Sequence, residues 1–191
     1  MKKLYFLLAS LLLSVAAFPS QTTEGTEFWV TFMNNLDQYD ESDGIVLELI
    51  LSSRYDAEIM VENPQSGWNI TTSVTANTIK KVTIPCSQAY TYAPATVNNK
   101  GIRITSTAPI SLYASNYSEA SYDASIVLPI TGIGNEYAIQ LFESKEHVSM
   151  GIYKEFCIVA TENNTKVKIT PHANTVSGEK PHVTYEVTLQ R

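Results

Sequence analysis

The chain has 191 residues and a net charge of -6 at pH 7, and 44% of its residues are hydrophobic. Without the first 17 residues, which have the pattern of a signal peptide, about 170 remain, enough to bury one good hydrophobic core. Removal of Lys2 and Lys3 leaves 11 basic against 19 acidic residues, a net charge of -8. A surface of this sign, without a Lys/Arg cluster, disfavours binding to nucleic acid or to anionic lipid headgroups.

The first 17 residues have the layout of a secretory signal peptide. Lys2 and Lys3 form a short positive region, residues 4–13 form an apolar run, and residues 14–17 supply small side chains for cleavage. The apolar run is shorter than the roughly 20 residues of a membrane-spanning helix, and no second run of that length follows. We therefore expect an exported chain that starts near Phe18, with an uncleaved anchor as the alternative.

Apolar and polar residues alternate with period two along most of the remaining chain, whereas helical periodicity is nearly absent. In residues 45–51 both faces are apolar, which indicates a central strand covered on both sides. Roughly ten to twelve short strands separated by turns predict an all-β fold of antiparallel, β-sandwich-like units. The alternating segments are 27–32, 45–51, 58–62, 81–84, 102–105, 110–115, 166–170 and 183–189.

An internal repeat links the two parts of the chain. Four blocks recur in the same order at offsets of 109, 108, 108 and 105: Gly25–Phe32 with Gly134–Leu141, Ile50–Ser53 with Ile158–Thr161, Ile59–Val61 with Val167–Ile169, and Val82–Ile84 with Val187–Leu189. The repeat predicts a first β unit over residues 18–132 and the start of a second, incomplete unit of the same kind over 133–191. We therefore expect further domains of the same polypeptide. Chance similarity between alternating strands is the alternative.

Residues that could carry chemistry do not form a recognisable active site. No nucleophile elbow, nucleotide loop or metal-ligand spacing occurs, so we expect no catalytic residues, no metal centre and no cofactor. The acidic loop 34–44 offers Asp37, Asp40 and Asp43, with Glu41, as weak calcium candidates, against the alternative of a solvated loop. The three histidines are expected in exposed loops: His147, His172 and His182.

Two cysteines, Cys86 and Cys157, could pair, because export would expose the chain to an oxidising compartment. The other interpretation is a free thiol, since Cys157 lies in an apolar run where a small buried side chain suffices.

Tyrosine is abundant, with 11 residues. Four tyrosines lie in segments expected to be loops: Tyr90, Tyr92, Tyr117 and Tyr122. Tyrosine combines a large contact area with a low entropy cost and a hydroxyl, which suits recognition. We take these four as the candidate ligand-binding residues. The alternative is that they pack back over the rim of the sandwich.

Four motifs together suggest a family: Gly25–Phe32, Asn99–Ser111, Leu128-Pro129 with Gly134–Tyr137, and Phe156–Thr165 with Val167–Pro171. They resemble the N-terminal domain of IgGFc-binding protein over nearly the whole mature chain. The resemblance implies an extracellular, non-catalytic binding or adhesion module that contacts a host protein or glycan. It provides no binding residue that can be carried over individually, so antibody binding is not inferred.

Two other functions remain open at this stage. The chain could be a structural stalk or spacer of a larger cell-surface protein, or, with less support, a glycan-active enzyme. The style of the signal peptide predicts a bacterial protein, secreted or held at the cell envelope.

Overall fold

A computed structural model describes residues 22–35, 44–91, 95–118, 121–140 and 154–191. The prediction of an all-β, antiparallel fold is confirmed. The predicted signal peptide lies outside the described residues. The strands are β1 (Glu24–Val30), β2 (Phe32–Met33), β3 (Val46–Ser53), β4 (Ala57–Asn63), β5 (Trp68–Val74), β6 (Ile79–Ile84), β7 (Tyr90–Thr91), β8 (Ile102–Tyr117), β9 (Tyr122–Val127), β10 (Thr165–Ile169) and β11 (Tyr185–Leu189). A short helix, α1 (Cys86–Ala89), and a 3-10 turn (Ile130–Gly132) complete the described elements.

The 16-residue strand β8 organises the main sheet. Its first part, up to Ser106, pairs with β1 along one edge and with β4 along the other. Its second part, from Ile110, pairs with β3 along the edge that β4 occupies, and along the other edge with the start of β1 as far as Ser111 and then with β9. Strands β5 and β6 extend the sheet beyond β4 and β3 and lie next to each other, so the sheet is almost closed on itself. The expected sandwich layers are thus two parts of one curled sheet.

Residues 107–109 of β8 form the junction between these two parts. The ladder partners of β8 stop at Ser106 and resume at Ile110, and Pro109 has no N–H to donate to a ladder. The Pro109 carbonyl instead accepts a hydrogen bond from Ser53 Oγ at 2.9 Å. A corner of this kind lets one strand contribute to two facing layers.

Alternate residues of β3 and β8 fill one core between the layers. Leu47, Leu49 and Leu51 of β3 are fully buried, and each such side chain contributes about 1.5–3 kcal/mol relative to leaving it exposed. The opposite face of β3 is only half buried at Val46 and Ile50. The predicted central position of this strand is therefore confirmed, but its cover is complete on one face only. The core also contains Phe28, Ile59, Val61, Ile84, Ile102, Ile104, Ile110 and Leu112.

The region after residue 133 pairs differently from its proposed counterpart. Strands β10 and β11 form an antiparallel hairpin in which Val167 lies opposite Val187. The repeat aligns β10 with β4, whose hairpin partner is β5, yet it aligns Val187–Leu189 with part of β6, which pairs with β3. The pairing thus does not reproduce the fourth repeat block. The division into two units stays a prediction.

Gly25 offers a test of close packing at the bulge between β1 and β8. A Cβ at this position would lie 2.3 Å from Pro129 Cβ, whereas a Cβ at Gly134 would meet nothing within 4 Å. We expect Gly25→Ala to lower the free energy of unfolding by about 1–3 kcal/mol, the usual cost of overpacking. Urea denaturation would measure it, with Gly134→Ala as the matched control. Equal effects of the two variants would contradict this account.

Candidate binding surface

Tyr117 and Tyr122 form an aromatic pair at the end of the β8–β9 hairpin. Tyr117 is the last residue of β8 and lies directly opposite Tyr122, the first residue of β9. Their rings stack with centroids 5.7 Å apart and planes inclined by 27°. The turn is closed by a hydrogen bond of 2.8 Å from Ser118 N to the Ser121 carbonyl. The expectation that this pair lies in a loop is wrong, because both residues belong to paired strands.

Tyr90 occupies a different environment. It is only 4% exposed, in the short strand β7 that runs parallel to β2. Its hydroxyl donates to Asn34 Oδ1 at 2.7 Å and accepts from Asn35 N at 2.9 Å. Tyr90 therefore packs in the core, as the alternative reading of the tyrosines expected. Tyr92 lies outside the described residues.

Tyr113 joins the aromatic pair on the outward face of the sheet. Because side chains alternate along a strand, Tyr113 and Tyr117 of β8 share one face. Tyr113 lies between Ile50 of β3 and Ile126 of β9 in the sheet. The side chains of Tyr113, Tyr122 and Ile126 are 46%, 65% and 38% exposed. We call Tyr113, Tyr117, Tyr122 and Ile126 the tyrosine face.

Sequence reasoning missed Tyr113 as a site residue, although a signal was present. Tyr113 alternates with Leu112 and Ala114, so the period of two already placed it opposite the core side of its strand. Ile126 has the same position in β9 relative to the buried Val127. Combining the two alternations with an assumed β8–β9 hairpin would have found the face.

Polar groups border the tyrosine face. Lys81 Nζ lies 3.0 Å from Glu48 Oε2. The hydrogen bond and charge of that carboxylate raise the pKa of Lys81, and the hydroxyls of Tyr122 and Tyr117 add to the effect. Ser115, between Tyr113 and Tyr117 along the strand, is buried at 1% exposure, and its Oγ has no hydrogen-bond partner among the described residues. The face therefore combines exposed rings and hydroxyls with one ion pair at its border.

The outward face of the other part of the sheet is covered over β1, whereas Met60 of β4 on the same side is 38% exposed. Residues 157–160 and 189–191 line a groove together with Trp29, Gly101 and neighbouring polar side chains. The Arg191 guanidinium lies 5.5 Å from the centroid of the Trp29 ring, a cation–π contact. Trp29 is only 9% exposed as a result. The described residues thus leave the tyrosine face exposed, while residues near Arg191 cover the part of the other outward face around Trp29.

Arg103 joins three strands beneath this cover. Its Nε lies 2.9 Å from Glu27 Oε1 on β1, and its Nη1 lies 3.2 Å from Glu62 Oε1 on β4. The hydrogen bond from Arg103 is the main cause that lowers the pKa of Glu27 below its ordinary value. This cluster is structural, because all three side chains are mutually engaged and only about a quarter exposed.

The sequence also proposed calcium ligands and a pair of cysteines. The calcium candidates Asp37, Asp40 and Asp43 lie outside the described residues. Cys86 is half buried at the start of α1 and Cys157 is exposed, and both are free thiols in the structure, so their bridge stays a prediction.

Two of the histidines are in contact in the structure, although their spacing in the sequence did not predict this contact. The rings of His172 and His182 contact edge to face, with centroids 5.0 Å apart. The described part of the chain contains no group of three or more His, Cys, Asp or Glu side chains arranged to hold a metal ion. The histidine pair therefore carries no metal-site assignment.

Residues 123–191 match the family model of IgGFc binding protein. The resemblance inferred from the sequence is confirmed over this stretch, which covers most of β9 and the β10–β11 hairpin. The family is one of non-enzymatic binding domains that are typically extracellular. The match includes Ile126 of the tyrosine face and begins just after Tyr122. No curated protein and no solved structure matches the chain.

A membrane-spanning helix is not found among the residues that the structure describes.

The depressed pKa of Glu27 predicts a specific contribution to acid stability. A carboxylate whose folded pKa lies below the unfolded value, near 4.5, stabilises the fold above that pH. The contribution is lost as the pH falls through the lower folded pKa. We expect Glu27→Gln to cost on the order of 1 kcal/mol at pH 7 and progressively less at more acidic pH.

Urea denaturation between pH 7 and pH 3 would check this prediction. Glu58→Gln is the matched control, because Glu58 is an exposed carboxylate on β4 without an ion pair among the described side chains. A difference between wild type and Glu27→Gln that stays constant with pH, or one that Glu58→Gln reproduces, would contradict the assignment.

Proposed function

We propose that this chain is an exported, non-catalytic binding module that contacts a host protein or glycan through the tyrosine face. The observation that carries the proposal is the group of exposed tyrosines held on paired strands, on one outward face of the sheet. The family match supports a binding role, and protein binding in particular. The family's typical extracellular location agrees with the predicted export and placement at a bacterial envelope.

The tyrosine face would lose little side-chain conformational entropy when it binds a partner. Tyr117 and Tyr122 already stack, and both are fixed by the β8–β9 ladder. Binding therefore immobilises few side-chain rotamers, each of which would otherwise cost about 0.5–1.5 kcal/mol. The rings supply flat apolar area, and the hydroxyls supply hydrogen bonds. This combination suits either a polar protein surface or the face of a sugar ring.

The charge at this surface also limits the partner. Glu48 and the overall acidic balance disfavour phosphate backbones and anionic headgroups. Lys81 is already paired with Glu48, so it does not create an anion site by itself. A neutral glycan or a mixed-charge protein surface fits this border best.

Substitution of the tyrosines tests the proposal. The full chain would be screened for binding to immobilised immunoglobulin G and to a glycan array, and then compared with the double variant Tyr113→Ser/Tyr122→Ser. We expect the variant to lose affinity for the bound partner by at least about tenfold, because exposed aromatic side chains dominate such interfaces.

Tyr55→Ser is the matched control, because Tyr55 is 60% exposed but lies in the turn between β3 and β4. Circular dichroism and urea denaturation would show that the variants remain folded. Unchanged binding in the double variant, or an equal loss with Tyr55→Ser, would rule out the tyrosine face as the contact. The spacer alternative would be favoured if a larger cell-surface protein that contains this chain bound its partner equally well with and without the double substitution.

A further inference from the structure

Strand β10 has a partner along one edge only. It pairs with β11, and the structure records no second strand beside it among the described residues. The strand that matches β10 in the repeat is β4, which lies between β5 and β8. We place β11 at the position of β5, because each is the next described strand along the chain after its partner. The position that β8 occupies beside β4 is then open beside β10 among the described residues.

The hairpin is held together by side chains at several points of its length. Asn164 and Gln190 exchange two hydrogen bonds of 3.1 Å at one end, and Thr170 and Thr184 contact at 2.8 Å at the other. These contacts join the two strands at both ends of the hairpin. A two-stranded sheet nevertheless gains stability from a third strand, because its outer N–H and C=O groups then find partners.

The two faces of β10 differ in chemistry. Val167 and Ile169 are half buried on one face, and Lys166 and Lys168 are exposed on the other. Lys166 Nζ lies 3.3 Å from Glu186 Oε1, and Lys168 lies opposite Glu186 in the ladder without an ion pair to any side chain that the structure describes. In a chain with a net charge of -6, this strand thus presents two positive charges in alternate positions along an open edge.

The two lysines of β10 disfavour pairing of its free edge with a second copy of this chain. Two β10 strands that paired antiparallel about Val167 would place Lys166 of one copy opposite Lys168 of the other. Like charges directly opposite each other destabilise a strand pair, and lysine is a common residue of protected edges. The same charges would favour carboxylates on the neighbouring strand.

We propose that the free edge of β10 binds an extended, antiparallel peptide segment with aliphatic residues on one face and acidic residues on the other. The main-chain hydrogen bonds supply affinity, and the alternate side chains supply selectivity. The register follows from β4 and β8, where Val61 lies opposite Ile104 and Met60 lies opposite Thr105. By this register, an aliphatic residue lies opposite Ile169 and an acidic residue opposite Lys168.

A synthetic peptide provides the probe. It has the sequence of residues 100–109, with Thr105→Glu and Thr107→Glu to place carboxylates opposite Lys168 and Lys166. A second peptide carries lysine at the same two positions. Fluorescence anisotropy with the full chain measures both affinities. We expect the acidic peptide to bind about tenfold tighter than the basic one.

Charge reversal in the protein makes the test specific for this edge. The double variant Lys166→Glu/Lys168→Glu should prefer the basic peptide. Lys80→Glu/Lys154→Glu is the matched control: it changes the net charge by the same amount at other positions and should keep the preference for the acidic peptide. A control that reverses the preference, or a β10 variant that keeps it, would overturn the proposal.

Backbone methylation separates strand pairing from simple charge attraction. N-methylation of one set of alternate peptide residues should abolish binding, whereas methylation of the other set should leave it unchanged. Equal tolerance of both sets would contradict strand addition, and a chain that dimerises through β10 would contradict the charge argument. The proposal is independent of the tyrosine face, so Tyr113→Ser/Tyr122→Ser should bind the acidic peptide as the wild type does.

Discussion

The structure depends on the pairing of one long strand with four others. Strand β8 pairs with β4 before residues 107–109, with β3 and β9 after them, and with β1 on both sides of them. Its inward residues Ile104 and Leu112 lie in the same core although they belong to different layers. Neither layer can bury its apolar face without the other. A polar substitution at either inward position would therefore weaken both layers together.

The outward side of β8 is covered in one part and exposed in another. Arg103 and Tyr113 point to the same side of the same strand, because they are separated by an even number of residues. Arg103 lies between carboxylates of β1 and β4, beside Trp29 and the chain end that packs over it. Tyr113 lies between Ile50 and Ile126 and is 46% exposed, and no comparable cover lies over it among the described residues. Both residues lie on the same side of β8, so the residues that surround each of them determine which one a partner can reach.

Most of the fold could be predicted from the sequence, whereas the candidate site could be predicted only in part. Period-two alternation identifies a buried face without knowledge of the partner strand, which is why Leu47, Leu49 and Leu51 were placed correctly. Alternation does not reveal pairing, so residues 187–189 could be matched with β6 although β6 pairs with β3 and β11 pairs with β10. Tyr90 and Tyr122 looked alike in composition, but one hydroxyl is bound by Asn34 and Asn35 in the core and the other ring is exposed.

The charge pattern sets two electrostatic effects against each other at the β10 edge. The net negative charge of the chain repels an acidic segment at a distance, but salt screens that repulsion beyond a Debye length of about 8–10 Å. Lys166 and Lys168 act within contact range, where screening is weaker and the ladder fixes the geometry. The repulsion by the net negative charge therefore slows the approach of an acidic strand, and the attraction by the two lysines retains that strand after docking. Selectivity at such an edge comes from the two lysines beside the ladder, and not from the net charge of the molecule.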